Sequence, residues 1–486
     1  MRRERDSLGE ELVPDGALYG IFTQRARETF DLSGLRPHPE FIRAIALIKK
    51  AAARANRRLG ELPPRLARAI EWAADRVIAG EAAGAFVLDA FQAGAGTPTH
   101  MNVNEVIANL ANERLGGRRG TYVPVHPNDH VNRGQSSNDV TPTAIRLAAL
   151  ALARPLAGEL RELEAAFRRL AARYRAVVKP GRTHLQDAVP ITWGQVFTGY
   201  AESLRSAGAA LAGALREAEA IGLGGTAVGT GITAHPRFRR TVTAELGRLT
   251  GFRLRPAPSP VATTWSLRPL LAVSAALRGL AVDGAKICSD LRLLASGPHA
   301  GFAEVRLPEI EPGSSIMPGK VNPSVPEAVQ MACLQVIGND AAICAGAGRG
   351  ELELNVMTPL VAFDLAWSFE LLTRGLRLLR ARCVAGLRVD RERAAALVGG
   401  SLVEATALSP YLGYAVTARL VKEAQATGRA FRDVVRAHAL VPDTALRRLL
   451  APGALTAPAR IDAGLKRRIR SAPGYKELVS RGPGVQ

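Results

Sequence analysis

The chain has 486 residues, of which 47% are hydrophobic, 22% are charged and only 5% are aromatic. Its length predicts two or three domains, and its many Ala, Leu and Arg residues favour helix over a β-sandwich. No run of about 18 apolar residues is present and the charged N-terminus lacks an apolar signal stretch, so we expect a cytoplasmic protein with no membrane partner.

The formal net charge of +20 permits nucleic-acid binding, but it fits an anionic small substrate equally well. The arginines are spread along the chain and alternate with Glu at helical spacing in 160–175, which is typical of a solvated helix face. The one dense basic cluster, 465–476, lacks the interleaved aromatic residues of a single-strand binder. We therefore expect no nucleic-acid partner.

Residues 1–135 mix short helical patterns with polar loops and predict an N-terminal domain of mixed, mainly helical structure. Segment 40–59 repeats apolar residues at intervals of three and four, the helical period. Segments 90–105 and 125–139 break that pattern with Gly, Pro, Thr and Asn and predict irregular loops.

Residues 136–390 predict a central bundle of long helices. Period-two alternation is almost absent, so a parallel sheet with crossovers is not supported. The broad apolar surface of these helices suggests that subunits share the bundle. The predicted helical stretches are 139–178, 196–220, 266–296, 323–347 and 356–387.

Residues 391–486 have shorter segments and recurrent Gly/Pro turns, which predict a small helical C-terminal domain with a frayed end at 480–486. The expected fold class is therefore mainly all-α. The cysteines are far apart and form no CxxC pair. Cys288, Cys333 and Cys344 lie in apolar helical stretches, so we expect buried free thiols in a reducing compartment.

Two glycine-rich segments do not fit nucleotide cofactors. In GSSIMPGKVNP (313–323), five residues instead of four separate Gly313 from Gly319, and Val321 occupies the place of the hydroxyl residue of a phosphate loop. Segment 221–232 follows a charged amphipathic stretch and not an apolar strand, which argues against a dinucleotide site. We expect no cofactor.

A metal site is not expected either. His126 and His130 are four residues apart, but Pro127 disfavours a regular helix there and no third clustered ligand is evident.

Four polar loops combine hydroxyl and amide groups with two imidazoles and one lysine. Such donors suit a small dicarboxylate, although Ser, Thr and Asn most often serve turns and helix caps, and both interpretations stay open. The loops are 94–105, 134–143, 181–190 and 313–323.

The chain resembles the fumarase/aspartase superfamily across about 15–415. The eleven residues of GSSIMPGKVNP match its signature, and further blocks recur in order. These are YGIFTQRARETF, HPNDHVN, GQSSND, GRTHLQDAVP, AVGTG, AKICSDLRLLASGP, VIGND and ELNVM. The resemblance implies a homotetramer of three-domain helical chains, with a shared central bundle and active sites built from loops of three subunits.

The implied reaction is reversible anti-elimination from a C4 dicarboxylate to give fumarate through an aci-carboxylate intermediate. By this resemblance Ser314 is the base, Lys320 and Asn322 bind the α-carboxylate, and Glu327 pairs with His184. The carboxylate that becomes the aci-form is held by Thr97, Ser136, Ser137 and Ser315. The leaving group and its neighbouring carboxylate face Asn138, Thr183 and His184.

The leaving group is predicted to be ammonia from L-aspartate. GAGT at 94–97, HPNDHVN and GRTHLQDAVP resemble aspartate ammonia-lyases, whereas QSSND and EAVQMACLQVIGND resemble fumarases. Fumarate hydratase, a lyase for another substituted succinate and a catalytically silent structural paralogue remain alternatives.

Departures from the family pattern leave the substrate open. His100 stands where Asn is usual, and it is either a functional change or a loop histidine bonded away from substrate. Val123 replaces a basic residue of a second dicarboxylate site, which we do not predict. The other departures are 262–270, Gly348, Arg349 and Thr358.

Overall fold

The structure is a computed structural model of the chain, and it describes residues 1–480. It confirms the mainly all-α class, because helices dominate the described residues and the strands form two-stranded pairs. Residues 481–486, which include most of the end predicted to fray, lie outside the described part.

The N-terminal part opens with an antiparallel hairpin that the sequence did not predict, in which Arg2 pairs with Val13. The first elements are β1 (Arg2–Asp6), β2 (Gly9–Val13), α1 (Ile21–Thr29), α2 (Pro39–Leu59), α3 (Pro64–Ile78) and α4 (Thr97–Arg114). Helix α2 has clear local start and stop signals: the His38 side chain accepts a hydrogen bond from the Glu40 N–H, Pro39 stands first, and Gly60 ends the helix at φ 78°.

The central part contains the long helices predicted from the apolar pattern, with ends within a few residues of the expectation. The elements are α5 (Ser137–Arg173), β3 (Val178–Thr183), β4 (Gln186–Thr192), α6 (Trp193–Ala218), β5 (Ala220–Ile221), α7 (Phe238–Thr250), β6 (Arg255–Pro256), α8 (Pro260–Trp265), α9 (Arg268–Leu294), β7 (Val305–Arg306), α10 (Ser324–Ala347), β8 (Gly350–Glu351), β9 (Leu354–Asn355) and α11 (Thr358–Arg382). Strands β5 and β6 form a parallel pair, and the pairs β3–β4 and β8–β9 are antiparallel.

Short helices make up the C-terminal part, as predicted, and they surround a core of their own that includes Leu408, Leu420, Phe431 and Leu465. Strand β10 pairs antiparallel with β7. The elements are β10 (Arg388–Val389), α12 (Arg391–Gly400), α13 (Ala405–Leu412), α14 (Tyr414–Thr427), α15 (Phe431–Ala437), α16 (Asp443–Leu449), α17 (Pro452–Leu455), α18 (Ala463–Ser471) and α19 (Pro473–Ser480).

The chain divides into two compact units whose segments alternate along the sequence. Unit 1 comprises Met1–Leu160, Ser206–Ala285 and Gln330–Leu376, and unit 2 comprises Arg161–Arg205, Lys286–Val329 and the chain from Arg377 onwards. In unit 1, α2 packs on α3 and α7. In unit 2, Phe197 contacts the rings of Phe167 and Trp193. The three predicted domains, 1–135, 136–390 and 391–486, stay a prediction.

Helix α10 is unusually apolar, and it is the one helix among residues 1–480 that is long and apolar enough to cross a membrane by length and composition. The central helices of helical bundles are often equally apolar. Helix α10 also makes polar contacts with neighbouring helices, as a helix inside a bundle does. Its Asn339 Nδ2 donates to Ser368 Oγ at 3.1 Å, and Asp340 accepts from Ser274 and Arg278 at 2.6 and 2.7 Å. These bonds join α10 to α9 and α11.

One face of α10 is uncovered in the single chain. Met331 and Leu334 are 64% and 58% exposed. Cys344, near the C-terminal end of α10, is also exposed, so its predicted burial is wrong for the single chain. Cys288, Cys333 and Cys383 are buried free thiols, which confirms the expectation for Cys288 and Cys333.

Candidate active site

Two helix N-termini of unit 1 lie side by side and carry four of the predicted site residues. Helix α4 begins at Thr97 and α5 at Ser137. Gly96, at φ 83°, allows the close approach, since a Cβ there would lie 2.9 Å from Thr141 Cγ2. Because the first N–H groups of a helix have no partner within it, this pair of termini favours an anion.

The turn that starts α5 holds Ser136 and Asn138 with bonds to their neighbours. The Ser136 N–H donates to Asp139 Oδ1 at 2.9 Å, and the Asn138 N–H donates to Ser136 Oγ at 3.3 Å. Asn138 Nδ2 donates to the Ala227 carbonyl at 2.8 Å, which fixes the orientation of the amide. Thr97 is half-buried, and its hydroxyl donates to the Gly94 carbonyl at 2.6 Å.

Beneath this turn, the buried carboxylate of Asp139 anchors the glycine-rich segment 221–232. Its Oδ2 accepts from the N–H groups of Gly224 and Thr226 at 2.8 and 2.9 Å. Burial raises the pKa of Asp139 to about 6, against the lowering effect of these N–H bonds and of the Lys49 charge. The glycine segment that does not fit a dinucleotide site therefore supports the turn at Ser136.

Sequence reasoning missed Lys49, which is fully buried beside His100. Its Nζ lies 2.5 Å from His100 Nε2, 2.9 Å from Asn132 Oδ1 and 3.0 Å from Gln135 Oε1. Burial lowers the pKa of Lys49 well below its usual value. The available signal was a lysine on the apolar face of the helical pattern at 40–59, since Ile45 and Ile48 are also fully buried.

His100 lies in helix α4, not in a loop, and it points toward a predicted substrate residue. Its Nδ1 is 2.8 Å from Ser137 Oγ. Burial first, and the Lys49 charge second, lower the pKa of His100 well below its usual value. This histidine, a departure from the family pattern, is therefore linked to the turn at the start of α5.

In unit 2, the β3–β4 hairpin exposes Thr183 and His184 at its tip. Thr183 pairs with Gln186, and the two turn residues His184 and Leu185 have φ of 54° and 60°. Two left-handed residues define a type I′ turn, for which Gly or Asn is preferred. Since neither residue is Gly or Asn, this strained tip is consistent with a functional role.

The segment 313–323 of unit 2 forms a loop closed by its own backbone and by Asn322. The Gly313 N–H donates to the Lys320 carbonyl at 2.9 Å, and Asn322 Nδ2 donates to the Gly313 carbonyl at 2.6 Å. A Cβ on Gly313 would lie 2.5 Å from the Lys320 carbonyl oxygen, so this closure requires glycine. Lys320 and Ser315 are exposed.

Two backbone N–H groups of the same loop face the Ser314 hydroxyl. Its Oγ accepts hydrogen bonds from the N–H groups of Ile316 at 3.2 Å and Met317 at 3.0 Å. Hydrogen bonds donated to the charged form of a group favour that form, so these two N–H groups favour a Ser314 alkoxide.

Glu327 lies in the first turn of α10, with its Oε1 3.5 Å from Arg292 Nε. The ion pair that the single chain provides for Glu327 is thus with Arg292. The predicted pair of Glu327 with His184 stays a prediction.

The histidines of HPNDH are used locally. The Nδ1 of His126 accepts from the N–H groups of Asn128 and Asp129 at 3.2 Å, and the Nδ1 of His130 accepts from the His126 N–H at 2.8 Å. These bonds organise a single π-helical turn, Pro127–Val131. Within residues 1–480, no group of three or more His, Cys, Asp or Glu side chains is arranged to hold a metal ion.

Comparison with known proteins places the chain in a family. A family described as "Lyase" matches residues 9–338, and one described as "Fumarase C C-terminus" matches residues 405–457. The chain is 49% identical to fumarate hydratase class II 1 of Pseudomonas aeruginosa, over 89% of this chain and 93% of that protein. It is 44% identical to aspartate ammonia-lyase of Pseudomonas fluorescens, over 94% of this chain and 96% of that protein.

The solved structures that it resembles include a fumarate lyase:delta crystallin from Brucella melitensis bound to cobalt. The TM-score is 0.91 at 44% identity, with 94% of this chain and 100% of that chain covered. A class II fumarase from Schistosoma mansoni has a TM-score of 0.89 at 35% identity, with coverage of 93% and 99%. The sequence blocks, the helical fold and these similarities agree: the chain belongs to the fumarase/aspartase superfamily of lyases.

Proposed function

We propose that this protein catalyses the reversible anti-elimination of ammonia from L-aspartate to give fumarate. The observation that carries the proposal is the pair of N–H bonds to Ser314 Oγ in the loop that also contains Lys320 and Asn322. The Ser314 alkoxide takes a Cβ proton, the electron pair moves into the neighbouring carboxylate to form the aci-carboxylate, and the C–N bond then breaks. Ammonia carries away the bonding pair and fumarate remains.

The aci-carboxylate needs donors that are in place before the proton moves, because charge accumulates on its oxygens. We assign these donors to Thr97, Ser136 and Ser137 at the paired helix N-termini, together with Ser315 of the loop. The support for this assignment is the fixed turn of Ser136 and the positive ends of α4 and α5.

The other carboxylate is assigned to Lys320 and Asn322, since an ammonium group and an amide suit an anion at an exposed loop. The leaving group is assigned to Asn138, Thr183 and His184. In the part of the chain that the structure describes, the Asn138 amide donates through Nδ2 and its Oδ1 accepts no hydrogen bond, so we assign Oδ1 as an acceptor for the amino group of aspartate.

Ammonia is preferred over water because of Ala95. This residue is 1% exposed at φ 53° in the GAGT segment before α4, and it offers a methyl group where fumarases usually carry a serine hydroxyl. Water is the second candidate, because the relative at 49% identity is a fumarate hydratase.

A homotetramer is proposed as the working form. The support is the uncovered apolar face of α10, where Met331 and Leu334 are largely exposed. Loops of three subunits would then complete each active site. The free thiols of Cys288, Cys333 and Cys383 fit the proposed cytoplasmic location.

The experiment mixes the purified protein separately with L-aspartate and L-malate and follows fumarate absorbance and ammonia release. Equal amounts of fumarate and ammonia from aspartate are expected. Fumarate from malate alone moves the function to fumarate hydratase. Turnover of a different substituted succinate that depends on Ser314 indicates a specialised lyase, and no turnover by a folded tetramer indicates a silent paralogue.

A further inference from the structure

A buried chain of hydrogen bonds runs from Lys49 through His100 to Ser137. Lys49 and His100 are 0% and 1% exposed, so water does not replace these contacts. The two imidazole nitrogens have different partners: Nε2 is 2.5 Å from Lys49 Nζ, and Nδ1 is 2.8 Å from Ser137 Oγ.

The partners of Lys49 determine which nitrogen of His100 carries the proton. Asn132 Nδ2 donates to the Gln135 carbonyl, and Gln135 Nε2 donates to the carbonyls of Val131 and Arg133. Both amide oxygens therefore face Lys49 and accept from it at 2.9 and 3.0 Å. These two acceptors and the Asp139 carboxylate favour the ammonium form of Lys49 against the effect of burial, and an ammonium has a third donor, which is left for His100 Nε2.

A histidine that accepts at Nε2 and is neutral must carry its proton on Nδ1. Neutrality is supported by burial and by the Lys49 charge, which both lower the pKa of His100. The opposing charge in this region is the buried carboxylate of Asp139, two residues from Ser137. The Nδ1–H group then donates to Ser137 Oγ.

We propose that His100 is a positioning residue: held by Lys49 as the Nδ1–H tautomer, it occupies a lone pair of Ser137 Oγ and leaves the Ser137 O–H to donate to the substrate carboxylate. The inference rests on the proposed function, in which Ser137 binds the carboxylate that becomes the aci-form. The reaction itself is unchanged, since no proton leaves His100. Its contribution is to make Ser137 a donor before charge develops.

Two amide substitutions separate this role from general support of the fold. In His100→Asn the amide takes the place of Nδ1 and keeps a donor for Ser137. In His100→Gln the amide takes the place of Nε2, so the contact with Lys49 is kept and the donor to Ser137 is lost. His438→Asn is the matched control, since His438 contacts Glu423 in the C-terminal helices and is outside this chain of bonds.

We expect His100→Gln to lower kcat about tenfold, because one well-placed hydrogen bond corresponds to roughly that factor, and to raise KM as well, because Ser137 already binds the carboxylate of the ground state. His100→Asn should stay within about threefold of the wild type, as should His438→Asn. In a Ser137→Ala background the Asn and Gln variants should have equal kcat, because the residue through which they act is gone. Equal kcat of the two variants in the native background, or a difference that persists with Ser137→Ala, overturns the inference.

A second readout separates this inference from the proposed function. Succinate should raise the Tm of the wild type and of His100→Asn, and it should raise the Tm of His100→Gln and Ser137→Ala less. If no succinate derivative is turned over but this pattern holds, the proposed function fails and the role of His100 stands. If succinate does not raise the wild-type Tm, or raises that of all four proteins equally, the inference is overturned.

Discussion

The turn Ser136–Asp139 and the loop 313–323 are both predicted to touch substrate, yet their surroundings are opposite. The turn rests on buried groups: Asp139 accepts three N–H bonds and His100 contacts Ser137. The loop is largely exposed and is held by bonds within itself, from Gly313 to Lys320 and from Asn322 to Gly313.

This difference suggests a division of labour. Donors that stabilise developing charge act best when they are rigid before the reaction, and the turn meets that requirement. A base that must close over substrate and then release product acts best on a segment with few contacts to the rest of the fold. The exposed loop 313–323 meets this second requirement. Variants that disturb the buried support of the turn should therefore change stability, whereas variants in the loop should change turnover without changing stability.

The largest expected effect is on turnover, for Ser314→Ala in the loop. Loss of the general base should lower kcat about 10³-fold or more, while the Tm stays that of the wild type. The rate of fumarate formation and a thermal unfolding curve measure the two quantities. Ser471→Ala, on an exposed face of α18, is the control and should change neither. A fall in Tm with kcat preserved would contradict the assignment of the base.

Two glycines with the same backbone conformation test the comparison directly. Gly96 beside the turn has φ 83°, and an added Cβ would lie 2.9 Å from Thr141 Cγ2. Gly319 in the loop has φ 82°, and an added Cβ would have no neighbour within 4 Å. We expect Gly96→Ala to lower the free energy of unfolding by about 2–4 kcal/mol, from strain and overpacking together.

In Gly319→Ala the added methyl group causes backbone strain of about 1–2 kcal/mol but no overpacking. Because the loop is open, a local shift of its backbone relieves this strain. Its Tm should equal that of the wild type while kcat falls severalfold. Denaturant unfolding of the two variants side by side gives the answer, and equal losses of stability would remove the distinction between the two regions.

A smaller effect concerns pH and Asp139. Its pKa is raised from 3.8 to about 6, so between these values the folded protein holds a proton that the unfolded chain has released. Stability from this group is therefore present at low pH and is lost as pH rises to about 6. Relative to the wild type, Asp139→Asn should gain up to roughly 3 kcal/mol from pH 4 to pH 7. The free energies of unfolding of the two proteins at pH 4 and pH 7 measure this gain. If Asp139→Asn were instead more stable relative to the wild type at pH 4 than at pH 7, the prediction would be wrong.

The long helices were predictable, since each has an apolar pattern of helical period that runs for more than twenty residues. The loop 313–323 was predictable as a catalytic segment only through its resemblance to a family, because it contains no Asp, Glu, His or Cys. The hydrogen bonds from the N–H groups of Ile316 and Met317 to Ser314 Oγ depend on the backbone conformation of the loop, which the amino-acid composition does not determine.

Other features escaped the sequence for identifiable reasons. The β1–β2 hairpin is largely charged, so its alternation carries no apolar signal. Lys49 lies in an otherwise apolar helical pattern, and its partner His100 is 51 residues away. Cys344 was predicted buried from its apolar neighbours, whereas burial depends on which face of α10 another helix covers.

The most direct test of the account is the formation of fumarate and ammonia from L-aspartate by the wild type and by Ser314→Ala, measured under identical conditions. The account predicts equal amounts of the two products from the wild type and a loss of about 10³-fold or more in the variant. Wild-type rates retained by a correctly folded Ser314→Ala protein would contradict it.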